Sequence, residues 1–171
     1  FFSHPQILNV LLGFRKGWFV YTPLMLVATI GFFTLYRERK TLFWPLFLFM
    51  AVNIYVISSW WCWWYGGSYG HRAFIESYAI MVFPLAALIQ RFMRGGRKRQ
   101  FTIYLFSLIF ISHNALQLVK LKTGALHFES MTKEAYLEVI HRIRPTSDYW
   151  NLLRKPDFER AKSGQSERTH K

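Results

Sequence analysis

Four long apolar stretches, separated by short basic segments, occupy most of the first 120 residues of the chain. Residues 18–36 carry no charge over 19 positions, and at about 1.5 Å per residue a helix of that length just spans a hydrocarbon core of about 30 Å. Neighbouring helices satisfy the loosened backbone of a proline or glycine inside such a span. The pattern predicts four transmembrane helices, near residues 18–36, 42–65, 73–92 and 101–119.

The segment before the first predicted span is apolar but short. Residues 1–14 contain Pro5 and Gly13, which favours an interfacial or re-entrant segment over a further span. The chain opens Phe-Phe-Ser-His, with neither a methionine nor a signal-peptide pattern, and is expected to be part of a larger protein whose N-terminal portion is missing. The predicted fold is therefore an all-α integral membrane protein, a piece of a larger helical bundle.

The tail after residue 120 differs in kind, because seven of the nine acids lie there. Apolar residues recur at helical spacing over residues 130–144, and Pro145 follows them, which predicts a short amphipathic helix near 130–144. The polar end, residues 162–171, is expected to be disordered. The chain thus divides into a transmembrane region, residues 1–119, and a tail, residues 120–171.

Composition agrees with this division, since 52% of the residues are hydrophobic and 19% are aromatic. The net charge of +13 comes from basic clusters between apolar segments, which is the membrane-protein arrangement and speaks against nucleic acid as a partner. The single cysteine, Cys62, forms no internal disulfide. No cysteine–histidine or carboxylate cluster of metal-ligand spacing occurs in the sequence, so no metal or cofactor is predicted.

Basic residues also predict the orientation in the membrane. The loops that join predicted spans one to two and three to four hold eight of them: Arg37, Arg39, Lys40, Arg91, Arg94, Arg97, Lys98 and Arg99. The opposite side has Arg15, Lys16 and Arg72 in its short segments, with Lys120 and Lys122 after the last span. The positive-inside rule makes the first set cytoplasmic. The tail is then exoplasmic.

The segment Trp60–Arg72, WWCWWYGGSYGHR, is the most informative part of the sequence. Its large aromatic residues are typical of an interfacial belt, but a belt does not explain the glycines. Gly66, Gly67 and Gly70 permit backbone conformations that other residues avoid, and allow close approach of a ligand or another helix. The alternative is a tight re-entry turn, which needs only one or two of them.

An anion site is the functional interpretation of this end of the molecule. Arg72 and Glu76 are spaced i,i+4, so they either form an ion pair or leave Arg72, with His71 and local backbone N–H groups, to bind a phosphate. Arg15 and Lys16 either extend to lipid headgroups or add to the same site.

Polar residues at the far end of the fourth predicted span reach the same membrane face. His113 and Gln117 share a helix face there, and we expect them to form helix-to-helix hydrogen bonds.

Three strings resemble a known family. They are RKGWFVYTPLM at residues 15–25, SSWWCWWYGGSYGHRAF at residues 58–74 and MTKEAY at residues 131–136. They are similar to the C-terminal half of bacterial GT-C glycosyltransferases of the protein-mannosyltransferase-like type. The resemblance implies a multi-helix inner-membrane enzyme that transfers a sugar from a polyprenyl-phosphate donor to an acceptor on the exoplasmic face.

The resemblance also assigns roles. Arg72, with Arg15 or Lys16, would stabilise the lipid phosphate, alongside His71, Gly66 and Gly67. The family's catalytic acid lies in a loop after its first helix, upstream of this chain, so the chain alone is expected to be inactive. Glu76 is the one candidate here for a general base that deprotonates an acceptor hydroxyl. The implied partners are membrane lipid, a polyprenyl-linked sugar and the missing N-terminal part.

Two other classes of function remain open. A transporter or flippase-like protein would line an alternately accessible path with Arg72 and Glu76. A non-catalytic membrane scaffold would use Trp60–Arg72 as a structural turn and bind a periplasmic partner through the tail. Upstream sequence with an acidic residue after its first span would favour the enzyme.

Overall fold

The computed structural model describes residues 1–163, and over that range the chain is helical and contains no strand. The predicted all-α class is confirmed for these residues. The polar end expected to be disordered lies, from residue 164 onward, outside the described residues. The helices are α1 Ile7–Leu12, α2 Trp18–Tyr21, α3 Pro23–Glu38, α4 Lys40–Ser58, a 3₁₀ helix Arg72–Phe74, α5 Ser77–Met93, α6 Arg97–Lys122, α7 Lys133–Glu138, α8 Tyr149–Leu152 and α9 Phe158–Lys162.

Two of these helices are long and apolar enough to cross a membrane. Helix α4 has 19 residues and α6 has 26, and an 18-residue stretch of each has a mean hydropathy of 1.8 and 1.5, respectively. Only 17% of the apolar stretch of α4 and 6% of that of α6 is buried inside the protein. The core helix of a soluble protein is mostly buried, so the exposed apolar surface of α4 and α6 is what a lipid-facing helix presents.

The other two predicted spans are shorter than expected, so the described residues do not support four spans by helix length. Helix α3 has 16 residues and α5 has 17, or about 24 and 26 Å at 1.5 Å per residue. Thr22 separates α2 from α3 with φ −134° and ψ 70°, because the residue before a proline avoids the helical region. The 3₁₀ helix Arg72–Phe74 delays the start of α5 until Ser77.

The second predicted span was too long at its C-terminal end. Helix α4 ends at Ser58, and the following residues form an irregular loop in which Tyr65 adopts φ +53° and Gly66 φ +68°. The cause is burial, because Trp63 and Trp64 turn into the protein core rather than continuing along a membrane helix. The interfacial belt expected of these rings therefore does not describe Trp63 and Trp64, whereas Trp60 is exposed.

The amphipathic tail helix is also shorter than predicted. Helix α7 covers only Lys133–Glu138, and its N-cap is Thr132, whose hydroxyl accepts a hydrogen bond from the Ala135 N–H at 3.1 Å. Met131, Ala135 and Val139 are buried as the apolar pattern predicted. Ile140 and Ile143, which continue the pattern, are exposed because the chain leaves the helix after Glu138.

Helices α3 and α5 form the centre of the helical region. The Thr22 and Tyr78 hydroxyls lie 3.3 Å apart at one end, and Gly31 meets Pro84 further along, so the two helices run parallel. A Cβ at Gly31 would lie 2.6 Å from the Pro84 carbonyl carbon, so only glycine allows this backbone contact. Helix α4 packs beside α3, and α6 lies against α5 at the edge.

The N-terminal segment and the tail meet these helices at the same end. The Gln6 N–H donates to the Ser58 carbonyl at 2.8 Å, which holds α1 against the end of α4. A second core gathers Met131, Ala135 and Tyr149 of the tail around Tyr21 of α2. The tail therefore packs on the end of the helical region that carries the Trp60–Arg72 loop.

Candidate functional site

Three cations lie together at this end of the molecule, and we call Arg15, Lys16 and Arg72 the cationic cluster. Arg15 and Lys16 directly precede α2, and Arg72 begins the 3₁₀ helix after the Trp60–Arg72 loop. The positive charges of both arginines act on the Lys16 ammonium and lower its pKa. The structure thus brings Arg72 together with Arg15 and Lys16, which lie more than 50 positions earlier in the sequence.

Lys16 is the buried member of the cluster, with 1% of its surface exposed. Its ammonium donates hydrogen bonds to the Ser68 carbonyl and, at 3.1 Å, to the Ser68 hydroxyl. Burial lowers the pKa of Lys16 to about 8, with Glu129 opposing the shift and Arg72 and Arg15 adding to it. No carboxylate within residues 1–163 forms an ion pair with it, so the Ser68 oxygens accept its hydrogen bonds and Glu129 acts on it only through its charge.

Arg72 is the exposed member, and its guanidinium is open to solvent. Within the described part of the chain it makes no ion pair with Glu76, because the two residues do not share one helix. Glu76 instead precedes Ser77 at the N-terminus of α5, where the helix dipole favours a carboxylate. The mutual ion pair that the i,i+4 spacing suggested is therefore absent, and Arg72 remains available to a ligand.

His71 is buried behind Arg72 and packs between the Tyr65 and Phe74 rings. Its Nε2 lies 2.9 Å from the Trp63 carbonyl, so Nε2 carries the proton and Nδ1 is bare. Burial, and secondarily the charge of Lys16, lower the pKa of His71 to about 4 despite the opposing Trp63 bond. A neutral histidine in this tautomer has no second N–H to donate to a phosphate.

Arg15 connects the cluster to the tail. Its guanidinium donates to the Glu129 carbonyl at 3.0 Å and to the Arg154 carbonyl at 3.2 Å, and lies 5.8 Å from the centre of the Trp64 ring. These contacts hold the Arg15 side chain against the tail and the Trp64 ring. Arg15 adds positive charge to the cluster and anchors the tail on top of it.

The backbone conformation or a close contact requires glycine at each of the three glycine positions in the loop. Gly66 and Gly70 adopt φ +68° and +56°, which is the left-handed region. Gly67 lies beneath the Phe128 ring, 2.9 Å from where a Cβ would stand, and the neighbouring Ser68 N–H donates to the Phe128 carbonyl at 3.2 Å. A simple re-entry turn would not need all three, so the loop is shaped to hold Ser68 against Lys16 and the tail.

The tail contributes residues that sequence reasoning missed, namely Phe128 over Gly67 and Glu129 beside Lys16. Glu129 is the acid whose charge acts on Lys16, yet 113 positions separate them and no local pattern connects them. Only the folding of the tail onto α2 brings them together. The polar end of α6 also contacts the tail. The Gln117 side-chain amide donates a hydrogen bond to the Tyr136 hydroxyl at 3.3 Å and lies 3.1 Å from the His113 ring nitrogen.

These contacts leave the predicted phosphate-binding role of Arg72, His71, Arg15, Lys16, Gly66 and Gly67, and the catalytic role of Glu76, as predictions. The geometry favours Arg72 as the contacting group, Lys16 as the buried source of positive potential and Arg15 as an anchor. No protein-family model matches the chain, and neither a curated protein nor a solved structure matches it. The function is therefore inferred from the residues and their geometry.

Proposed function

We propose that this chain is the membrane-embedded part of a bacterial inner-membrane glycosyltransferase, in which Arg72 binds the phosphate of a polyprenyl-phosphate sugar donor. The sugar passes to an acceptor on the exoplasmic face. The observation that carries the proposal is the exposed Arg72 beside the buried Lys16, which forms no ion pair among the described residues although the charge of Glu129 acts on it. The resemblance of residues 15–25 and 58–74 to GT-C enzymes supplies the identity of the anion.

Electrostatics support a phosphate at this position. The guanidinium plane of Arg72 matches two phosphate oxygens with two parallel N–H donors. The Lys16 charge is costly where it stands, since burial lowers its pKa, and a bound anion would offset that cost. Lys16 is covered by Ser68, so its contribution is through the field and not through contact.

The membrane arrangement in this proposal has four crossings. Glu38 and Arg94 lie 3.8 Å apart, which puts the starts of α4 and α6 at the same end of the molecule. If both helices cross the bilayer, the chain between them must return, and α5 with the preceding 3₁₀ helix is the segment available for it. Helices α2 and α3 together reach from Trp18 to Glu38 and provide the first crossing.

This arrangement gives the two ends different surroundings. The eight basic residues of the two connecting loops lie at the cytoplasmic end, and the cationic cluster and the tail lie at the exoplasmic end. Glu76 is exposed at that same end and is the candidate general base in this chain. The catalytic acid that the resemblance implies has no counterpart in this chain, and in this proposal it is supplied from outside these 171 residues.

A titration with polyprenyl phosphate tests the proposal. The full chain in detergent contains several tryptophans beside the cluster, Trp63 and Trp64 among them, so quenching of tryptophan fluorescence reports binding. Arg72→Ala should weaken binding roughly 10- to 100-fold, because a hydrogen bond to a charged group contributes about 1.5–3 kcal/mol. Arg72→Lys keeps the charge and loses the planar pair of donors, so its affinity should lie between those of the wild type and Arg72→Ala.

Arg142→Ala is the matched control, because Arg142 is an exposed tail arginine whose one salt bridge is to Glu138. In the full-length protein, Arg72→Ala should also abolish glycan transfer at normal abundance. Equal affinities for the wild type, Arg72→Ala and Arg142→Ala would contradict the assigned role. If Arg72→Ala loses polyprenyl-phosphate binding but keeps glycan transfer, the lipid bound at Arg72 is not the sugar donor of the reaction.

A further inference from the structure

The end of the molecule opposite the cationic cluster carries a second concentration of positive charge. Two loops contribute eight basic residues there, and the Glu38–Arg94 ion pair holds the loops together. Glu38 is the one acid in these loops. Placing eight cations within one surface raises their mutual repulsion, which an anionic partner relieves.

Three of these eight basic side chains already have a partner within the protein. Arg37 lies 4.2 Å from the Phe33 ring centre, Lys40 lies 5.2 Å from that of Tyr36, and Arg94 pairs with Glu38. The other five, Arg39, Arg91, Arg97, Lys98 and Arg99, are exposed and make no side-chain hydrogen bond or ion pair within residues 1–163. All but Arg39 flank the short α5–α6 loop, in the last turn of α5 and the first turn of α6, so most of the available charge lies at this connection.

An apolar groove begins beside that same loop. It runs between α3, α5 and α6, has a volume of about 240 Å³, and nine of its eleven lining side chains are apolar. Phe92 in the last turn of α5 and Ile103 in the second turn of α6 line it next to the loop, and Leu24 of α3 lies among its other walls. Over Leu85–Phe92 alone it follows α5 for about 10 Å.

We propose that the groove and the α5–α6 loop form a binding site for an anionic phospholipid of the cytoplasmic leaflet. An acyl chain lies in the groove, and the phosphate contacts Arg91, Arg97 and Lys98. Charge complementarity selects an anionic headgroup, and the apolar lining beside the loop selects a lipid over a free phosphate. The site is independent of the proposed transferase, because a donor held at Arg72 keeps its phosphate at the other end of the molecule.

Native mass spectrometry of the full chain tests this site. The protein is released from micelles that contain equal amounts of phosphatidylcholine and phosphatidylglycerol, and the retained lipid is counted. We expect phosphatidylglycerol to be retained in preference. The triple variant Arg91→Gln, Arg97→Gln, Lys98→Gln should lower its affinity roughly 100-fold, from the effect of each basic residue near a membrane surface. The control removes three exposed tail cations, Arg142, Arg144 and Lys155, in the same way.

A second pair of variants tests the groove separately from the charge. Ser107 lines the groove, and Ser107→Phe should fill it and reduce phosphatidylglycerol retention about tenfold, since a displaced acyl chain loses its apolar contact. Leu108→Phe, on the same helix but outside the groove, should leave retention unchanged.

Three results would overturn the site. Equal retention of both lipids would exclude selection by charge. An equal loss of phosphatidylglycerol retention in the loop and tail triple variants would show that retention depends only on the net charge of the protein. Displacement of phosphatidylglycerol by inorganic phosphate, with Ser107→Phe unaffected, would show an ion site that does not use the groove.

Discussion

Lys16 is the residue that best explains the electrostatics of the cationic cluster. Its ammonium is enclosed by Ser68 and the tail, yet the two arginines of the cationic cluster repel it. A hydrophobic residue of the same length would pack there without that electrostatic cost, since a buried charge without an ionic partner is destabilising. A positive charge at this position agrees with the proposed anion site, because a bound anion would offset that cost.

The pH dependence of stability should report the buried Lys16 directly. Its folded-state pKa, about 8, lies below the ordinary value of 10.5. Below pH 8 the amine is charged in both states, and the fold carries the full cost. Between pH 8 and 10.5 the folded state releases the proton while the unfolded state keeps it, so the free energy of unfolding rises, by up to about 3 kcal/mol at 1.36 kcal/mol per pKa unit.

Lys16→Met removes this titration, so the wild-type stability minus that of the variant should increase from pH 8 to pH 10. Denaturation of the full chain in detergent measures the difference at each pH. Subtraction cancels the tyrosines, such as Tyr69, whose pKa is raised to about 12 by burial and whose ionisation acts in the opposite direction. A difference that stays flat across this range would mean that Lys16 reaches solvent.

At the scale of elements, the contact between α3 and α5 depends on Gly31. The carbonyl of Pro84 occupies the space that a side chain at position 31 would need, and backbone cannot move aside as a flexible side chain can. Gly31→Ala should therefore push the helices apart and destabilise the fold by about 1–3 kcal/mol, the usual cost of overpacking. The unfolding midpoint of the full chain in detergent measures this.

Gly96→Ala is the matched control for that substitution. Gly96 has φ −65° at the start of α6, and a Cβ there would meet no atom within 4 Å. It should change stability by no more than about 0.5 kcal/mol, as surface substitutions usually do. A similar loss in both variants would show that the glycines act through the unfolded chain, and that the Gly31–Pro84 contact is unimportant.

The apolar pattern predicted where helices occur better than where they end. Helices α4 and α6 begin within a few residues of the predicted starts because a long uncharged run allows little else in a helical protein. The end of α4 was missed by seven residues, since Trp63 and Trp64 are as apolar as a membrane helix but are buried in the core instead. Composition cannot distinguish lipid from protein as the apolar surroundings of a tryptophan.

The candidate site could be predicted only in part for a related reason. The cationic residues were identifiable because acids are almost absent before residue 120. Their different roles were not, because burial decides them: Ser68 covers Lys16, the tail carbonyls hold Arg15, and Arg72 stays open. The i,i+4 argument for Arg72 and Glu76 failed when the helix between them did not form.

For the whole molecule, the arrangement of helix ends restricts the membrane topology more than helix length does. Length and hydropathy select α4 and α6 alone, and two crossings would place Arg39 and Gly96 on opposite sides of the bilayer. The Glu38–Arg94 ion pair instead holds these two loops at one end of the molecule. The four crossings of the proposed function would satisfy both observations, because α5 would then return the chain beside α3.

Labelling of single cysteines distinguishes the two topologies. In a Cys62→Ser background, cysteines replace Arg39, Gly96 and Ser147, which lie in the first loop, the second loop and the tail. Four crossings predict that a membrane-impermeant maleimide reaches only position 147 in intact cells, and positions 39 and 96 only after permeabilisation. Two crossings predict that positions 39 and 147 react together and position 96 reacts from the other side.

The same experiment tests the transport alternative. A cysteine in place of Arg72 should react from the exoplasmic side alone if that end is a fixed phosphate site, because α3 and α5 pack too closely at Gly31 and Pro84 for a path between them. A path that opens alternately would require this contact to separate. Labelling of position 72 from both sides, in intact cells and in inverted vesicles, would therefore replace the transferase with a transporter and make the Gly31–Pro84 contact its closed gate.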